Sequence, residues 1–191
     1  MVLGRDEGGL AMSRIKFGKG HKALLVVAGD KARPILDNVH VVNGYAEAVD
    51  GFILLRIPVE VDDDTESLIP SRLLALGMSG LRKNERRSIN VEDNGLSVEA
   101  DGVMFSTPLA SGEFPRTAKL MVPRRLHDAR EVIVIGFSLP VLQKVVNIAK
   151  AVGLSGLKEC IRFQISGPIS PVRVDFGELA EATIMPMTAI R

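Results

Sequence analysis

The sequence predicts an α+β fold in which short antiparallel strands carry helices on one side of the sheets. Two observations lead there. Turn dipeptides that favour positive φ recur between alternating apolar runs. Apolar stripes at helical spacing then interrupt those runs, in a repeated order.

The strands come first. Asn43-Gly44 separates 40–42 from 45–49, Asn94-Gly95 separates 89–92 from 96–99, and Asp101-Gly102 separates that strand from 103–106. Ile89 and Val91, then Leu96 and Val98, alternate with polar residues, as in sheets with one buried and one wet face. The clearest helix spans 138–152. Ser138 caps it, Pro140 lies in its first turn and Gly153 ends it. Its stripe is Val141, Leu142, Val145, Val146, Ala149 and Val152, with Gln143, Lys144, Asn147 and Lys150 on the other face. A shorter helix follows Pro70 through Arg72-Leu-Leu-Ala-Leu76 to Gly77. Residues 21–28 read as a third helix, although the pair Val26-Val27 suits a strand as well.

These elements form a loose repeat: an extended segment, a helix, then a meander. The units run over about 14–62, 66–110 and 131–187. The expected organisation is a Gly-rich leader at 1–13, a two-unit domain at 14–115, a linker at 116–130 and a one-unit half domain at 131–191.

The bulk numbers restrict the function classes. The chain has 191 residues, of which 46% are hydrophobic and only 4% aromatic, so its core is built from aliphatic residues and Met. A net charge of +1 is not that of a protein gripping phosphates over its whole surface. A single cysteine, Cys160, excludes an intrachain disulfide and points to a reducing, cytoplasmic setting. No apolar run approaches the roughly 18–20 residues of a membrane span. His21, His40 and His127 have no Cys or carboxylate at ligand spacing, so no metal or other cofactor is expected. His40 alternates with apolar residues and reads as structural. Gly18-Lys-Gly20 lacks the phosphate-loop spacing, the acidic run 62–66 reads as a solvated loop, and no nucleophile elbow is present. The chain is not expected to be an enzyme.

Several segments together resemble the bacterial DNA polymerase sliding clamp, the beta subunit of DNA polymerase III. They are Arg33-Pro-Ile-Leu-Asp-Asn-Val39, Ala48-Val-Asp-Gly-Phe-Ile-Leu54, Ile69-Pro70 with Arg72-Leu-Leu74, and the Gly-x-Phe-Pro turn ending at Pro115. Ile135-Gly-Phe-Ser-Leu-Pro140 with its helix, and Ala182-Thr-Ile-Met-Pro-Met187, complete the order. The resemblance implies a clamp shortened to a middle domain plus the second half of the last. The parts that close two crescents into a ring are lacking. Val49, Phe52 and Ile53 replace the Thr, His and Arg of the family motif, and the tail Thr188-Ala-Ile-Arg191 differs from the usual Arg-Leu ending.

The resemblance also implies a function in DNA replication by topology and docking. A pocket for partner peptides of DNA polymerase and related proteins would be lined by Val49, Gly51, Phe52, Ile53, Leu54, Pro70, Ala75, Thr183, Met185 and Met187. Flexible Met side chains suit a site that accepts several partners. The plain alternative is that Met185 and Met187 fill the core. For non-sequence-specific contact with DNA the candidates are Arg72, Arg82, Lys83, Arg86, Arg87, Lys144 and Lys150, against the plain alternative of solvated charge. The odd unit needs a partner for its sheet, which points to a homo-oligomer. Two readings follow: a processivity factor on DNA, or a ring-less docking module or competitor that binds clamp-interacting peptides.

Overall fold

The structure is a computed structural model that describes residues 13–29, 32–62, 66–121, 135–154 and 160–186. Strand β1 (Ser13–Gly18) leads through a 3-10 turn (Lys19–Ala23) into helix α1 (Leu24–Val27). Residues 24–27 are thus helical despite the Val pair. His21 fixes the entry: Gly18 N–H donates to Nδ1 at 3.0 Å, and Nε2–H donates to the Pro58 carbonyl at 2.9 Å. Leu24 and Val27 are buried on one face of this helix. A meander follows, β2 (Asn38–Val42), β3 (Tyr45–Val49) and β4 (Ile53–Pro58), then the short β5 (Glu60–Val61).

The second unit is β6 (Ser67–Pro70), α2 (Ser71–Gly77), β7 (Arg86–Glu92), β8 (Gly95–Ala100) and β9 (Val103–Thr107). The third contributes α3 (Leu139–Val152), β10 (Arg162–Gln164), β11 (Val172–Asp175) and β12 (Glu181–Ile184). Of the expected linker, residues 116–121 are described. They hold a 3-10 turn at Thr117–Lys119, and Thr117 is buried.

The first two units exchange their leading strands. Strand β1 pairs with β7 of the second unit, and β6 pairs with β2 of the first, both antiparallel. One sheet therefore runs β5-β1-β7-β8-β9, and the other β10-β11-β12-β4-β3-β2-β6. The third unit joins the larger sheet because β12 pairs antiparallel with β4, Ala182 opposite Leu55 and Thr183 opposite Leu54.

Two of the turns are as expected. Asn43 and Gly44 have φ of 50° and 74°, and Asp101 and Gly102 have 53° and 78°, the left-handed pair of a tight hairpin. The third turn is one residue earlier than its sequence suggests. Glu92 pairs with Gly95, which leaves Asp93 and Asn94 as the turn. Gly95 answers a different demand: a Cβ there would lie 2.5 Å from the Thr107 carbonyl oxygen of β9.

Both sheets turn their apolar faces to one core. Ile15, Phe17, Ile89, Leu96 and Val98 come from the smaller sheet, and Val39, Val41, Leu55, Val174 and Ile184 from the larger. Helix α3 adds Val141, Val145, Ile148, Ala149 and Val152, the buried Val and Ile side chains each contributing roughly 1.5–3 kcal/mol. Ile148 completes the stripe, while Val146 lies at its margin and is 40% exposed. The Ser138 hydroxyl accepts from Val141 N–H at 3.4 Å, and Gly153 ends the helix at φ 101°. A second, smaller apolar cluster lies on the opposite face of the larger sheet: Leu36, Val49, Leu54 and Phe114.

Candidate partner-docking site

Strand alternation brings four of the expected pocket residues into one cross-strand row. Pro70 on β6 pairs with Asn38 on β2. The β2–β3 register, His40 opposite Glu47, carries Asn38 to Val49. Val49 pairs with Leu54 on β4, and Leu54 with Thr183 on β12. Side chains directly opposite one another share a face. The row therefore crosses from the second unit, through the first, to the third. Residues over a hundred positions apart meet because β12 docks on β4.

A built turn joins two members of the row, Val49 of β3 and Leu54 of β4. Asp50 Oδ1 accepts from Phe52 N–H at 2.9 Å and from Ile53 N–H at 2.8 Å, the local bonding that makes Asp a turn former. Gly51 has φ 91°, and a Cβ there would come within 2.5 Å of Arg33 Nη2, which donates to the Asp50 carbonyl at 2.9 Å. Lys144 of α3 forms an ion pair with Asp50 Oδ2, so the third unit is fastened to this turn by charge as well as by strand pairing. Phe52 consequently projects at 62% exposure, beside Met185 at 45%, whose N–H donates to the Phe52 carbonyl at 3.1 Å.

The remaining expected residues are elsewhere. Ile53 alternates to the opposite face and is buried in the main core. Ala75 is exposed on α2. Met187 lies outside the described residues, as do His127 and residues 122–130 of the expected linker.

Residues not named as pocket residues from sequence complete the site. Phe114 packs on Leu36, Val49 and Leu54, with Ile35, Leu68 and Met121 at the margin. Met121 reaches Thr183, whose hydroxyl donates to Sδ at 3.8 Å. The Gly-x-Phe-Pro turn was the available signal for Phe114, but nothing in it says which sheet face the turn will cover. Beside the row lies a cavity of about 810 Å³, whose lining includes His40, Arg56, Leu68, Leu109, Phe114 and Thr117.

A buried charge network holds this covering segment down. The Glu47 carboxylate, fully buried, accepts from Arg56 Nε at 2.7 Å and from the Thr117 hydroxyl. His40 Nε2 bonds Glu66 at 2.8 Å, and its ring stacks on Phe114 with centroids 4.8 Å apart. Burial works to raise the Glu47 pKa, but His40, Thr117 and Arg56 outweigh it and hold the carboxyl below its ordinary value. Burial likewise works to lower that of His40, but Glu47 and Glu66 outweigh it and raise the imidazole.

The basic candidates separate into two groups. Arg86 pairs with Glu60, Arg82 with Glu85 and Lys144 with Asp50. Arg87 donates to the carbonyls of Gly77 and Ser79 and lies 3.8 Å from Asp101. Arg72, Lys83 and Lys150 are exposed. Among the described residues no group of three His, Cys, Asp or Glu is placed to hold a metal ion, and no helix is long and apolar enough to cross a membrane.

The exchange of leading strands between βα-meander units, with a following unit continuing the sheet, is the fold of the bacterial DNA sliding clamp. Among solved structures, the DNA polymerase sliding clamp of Bacillus subtilis superposes with a TM-score of 0.65 at 15% identity, covering 93% of this chain and 64% of that one. A DNA polymerase III beta subunit from Eubacterium rectale gives 0.71 at 10% identity, covering 91% and 65%. The Helicobacter pylori beta clamp bound to a DNA ligase peptide gives 0.70 at 12%, covering 98% and 67%. At these identities the likeness establishes the fold, and the chain spans about two thirds of the length of these clamps. No protein-family model and no curated protein matches the sequence.

Proposed function

We propose that this chain is a non-enzymatic, sliding-clamp-like processivity factor that tethers DNA polymerase and related partners through the row Pro70, Val49, Leu54 and Thr183. The observation that carries the reading is the row itself. It crosses the junction of the first and third units, and two exposed, uncharged side chains, Phe52 and Met185, lie beside that junction. Such a surface suits an extended peptide with an aromatic or Leu anchor. A peptide-bound clamp with this fold supports the same reading. Phe52 stands where the family has His, which makes the rim more apolar and alters partner choice.

The test is a calorimetric titration with a clamp-binding ligase or polymerase peptide. Phe52→Ala and Met185→Ala leave the fold intact, because both side chains are exposed, and each weakens binding by ~tenfold. No binding by the native chain at millimolar peptide sinks the docking reading.

Contact with DNA through Arg72, Lys83 and Lys150, in a cytoplasmic homo-oligomer, belongs to the processivity reading. One observation favours the ring-less docking module instead: Arg82, Arg86 and Lys144 already have carboxylate partners. Light scattering with primed circular DNA separates the two. A ring stays on the circle and leaves on linearisation, whereas a docking module binds peptide and not DNA. Affinity for DNA that is flat between low and physiological salt would speak against phosphate contacts.

A further inference from the structure

Asp50 uses every polar group it has. Its Oδ1 accepts from the Phe52 and Ile53 amides, its carbonyl accepts from Arg33, and its N–H donates to the Ile53 carbonyl at 3.2 Å. The remaining oxygen, Oδ2, takes the Lys144 ammonium. The Asp50 side chain is only 7% exposed, so water does little for this oxygen. A carboxylate in such a place needs a cation, because a buried charge left without its partner costs far more than a lost surface pair.

Lys144 belongs to α3 and stands 94 positions from Asp50 in the chain. Its polar neighbours on the helix behave differently. Gln143 donates to Asn147 at 3.0 Å, a pair one turn apart within α3. Lys150 is exposed. Lys144 instead reaches another unit, and its side chain is 39% exposed. The docking row lies on the face of the larger sheet opposite the core into which α3 packs. The link therefore runs around the β3–β4 turn, from the core side of the sheet to the docking side.

We infer that Lys144 is a positioning residue of the docking site, holding the 50–53 turn in the form that presents Phe52 to a partner. The inference rests on the docking reading above. Phe52 is 62% exposed and has little packing of its own to orient it. Its direction comes from the backbone of the turn, which has few supports. These are the two amides on Asp50 Oδ1, Arg33 on the Asp50 carbonyl, and the Met185 N–H on the Phe52 carbonyl. The Asp50 carboxylate carries two of them and keeps its place only while Oδ2 is neutralised. Without Lys144 the carboxylate turns toward water and releases the Phe52 and Ile53 amides. Gly51, free of a Cβ, gives the turn other conformations to relax into. The third unit thus serves docking twice: Thr183 and Met185 line the site, and Lys144 aims the aromatic side chain that the first unit contributes.

The test is calorimetric titration of the full chain with a clamp-binding ligase peptide, together with hydrogen exchange of the Phe52 and Ile53 amides. Lys144→Met keeps the stem and its packing and removes the charge. It weakens binding about threefold to tenfold, and no more than Phe52→Ala does, because Phe52 is what it positions. Lys144→Arg restores the cation and most of the affinity. In a Phe52→Ala background Lys144→Met changes affinity no further, although it lowers the urea midpoint as much as in the native background. A merely structural role would weaken binding equally in both. Exchange reads the turn without any peptide: the Ile53 amide loses protection in Lys144→Met and keeps it in Lys144→Arg. The inference is overturned if Lys144→Met binds peptide as the native chain does, if its effect persists undiminished in Phe52→Ala, or if the Ile53 amide stays protected. A native chain that binds no peptide, with Ile53 still unprotected in Lys144→Met, overturns the docking reading and leaves Lys144 as the residue that positions the turn.

Discussion

Replacing Glu47 by Gln tests how the candidate site is covered. The carboxylate is fully buried and accepts from Arg56 and from the Thr117 hydroxyl, with the His40 ring 3.7 Å away. Gln keeps the volume but removes the charge, leaving Arg56 without its counterion at a half-buried site. Breaking a buried pair from one side costs roughly 3–5 kcal/mol. Gln keeps one acceptor, its amide oxygen, for Arg56, and offers an N–H to the Thr117 hydroxyl oxygen in place of the second, so the expected loss lies near the lower end, about 3 kcal/mol. The control is Glu60→Gln. Glu60 pairs with Arg86, but both side chains are more than half exposed, and such pairs contribute about 0–1 kcal/mol. Urea unfolding by circular dichroism measures both losses. Hydrogen exchange adds a local readout, with amides of 114–121 losing protection in Glu47→Gln and keeping it in Glu60→Gln. If Glu47→Gln costs no more than the control, or if 114–121 stays protected, the network does not hold the segment and the reasoning fails.

Other expectations follow from the same geometry. Stability from His40 is fully present below its ordinary value of 6.5 and is lost as pH rises through the raised folded value. Stability from Glu47 is present above 4.5 and is lost as pH falls through the lowered folded value. The stability gap between the native chain and His40→Gln should therefore be widest below the ordinary value of 6.5 and shrink as pH rises through the raised folded value; a gap independent of pH contradicts the assignment. Gly51→Ala combines a strained φ with displacement of Arg33 from the Asp50 carbonyl. It should cost about 2–3 kcal/mol, read as a lowered urea midpoint. Ser138→Ala removes the cap of α3 and should cost about 1 kcal/mol, with no change in a peptide titration.

Much of the architecture was legible because local chemistry determines it. Asn43-Gly44 and Asp101-Gly102 form their turns through positive φ that few other pairs adopt. Ser138 and Gly153 bound α3 through bonds that involve only their own neighbours. Where the signal was local but ambiguous, tertiary demands decided. Gly95 is a strand residue that makes room for the Thr107 carbonyl and not a turn residue. Residues 24–27 are a helix because the entry is tied by His21 to Gly18 and Pro58.

The candidate site divides along the same line. By itself the sequence determined the units, their order, and an apolar motif at each end of the site, Val49–Leu54 and Thr183–Met185. From sequence, Ile53 and Leu54 belong to one pocket, whereas strand alternation sends them to opposite faces. Only the tertiary structure decided that β12 docks on β4. That pairing turns two distant motifs into one row, sends Ile53 to the core, and leaves Phe52 and Met185 side by side at the rim. It also decided that Phe114 and Met121 cover the row, and that Lys144 serves Asp50. The reason is physical: turns and caps are settled by interactions within a few residues, whereas which strand edges meet, and what lies over a sheet face, depend on burial of surface that no short segment possesses alone.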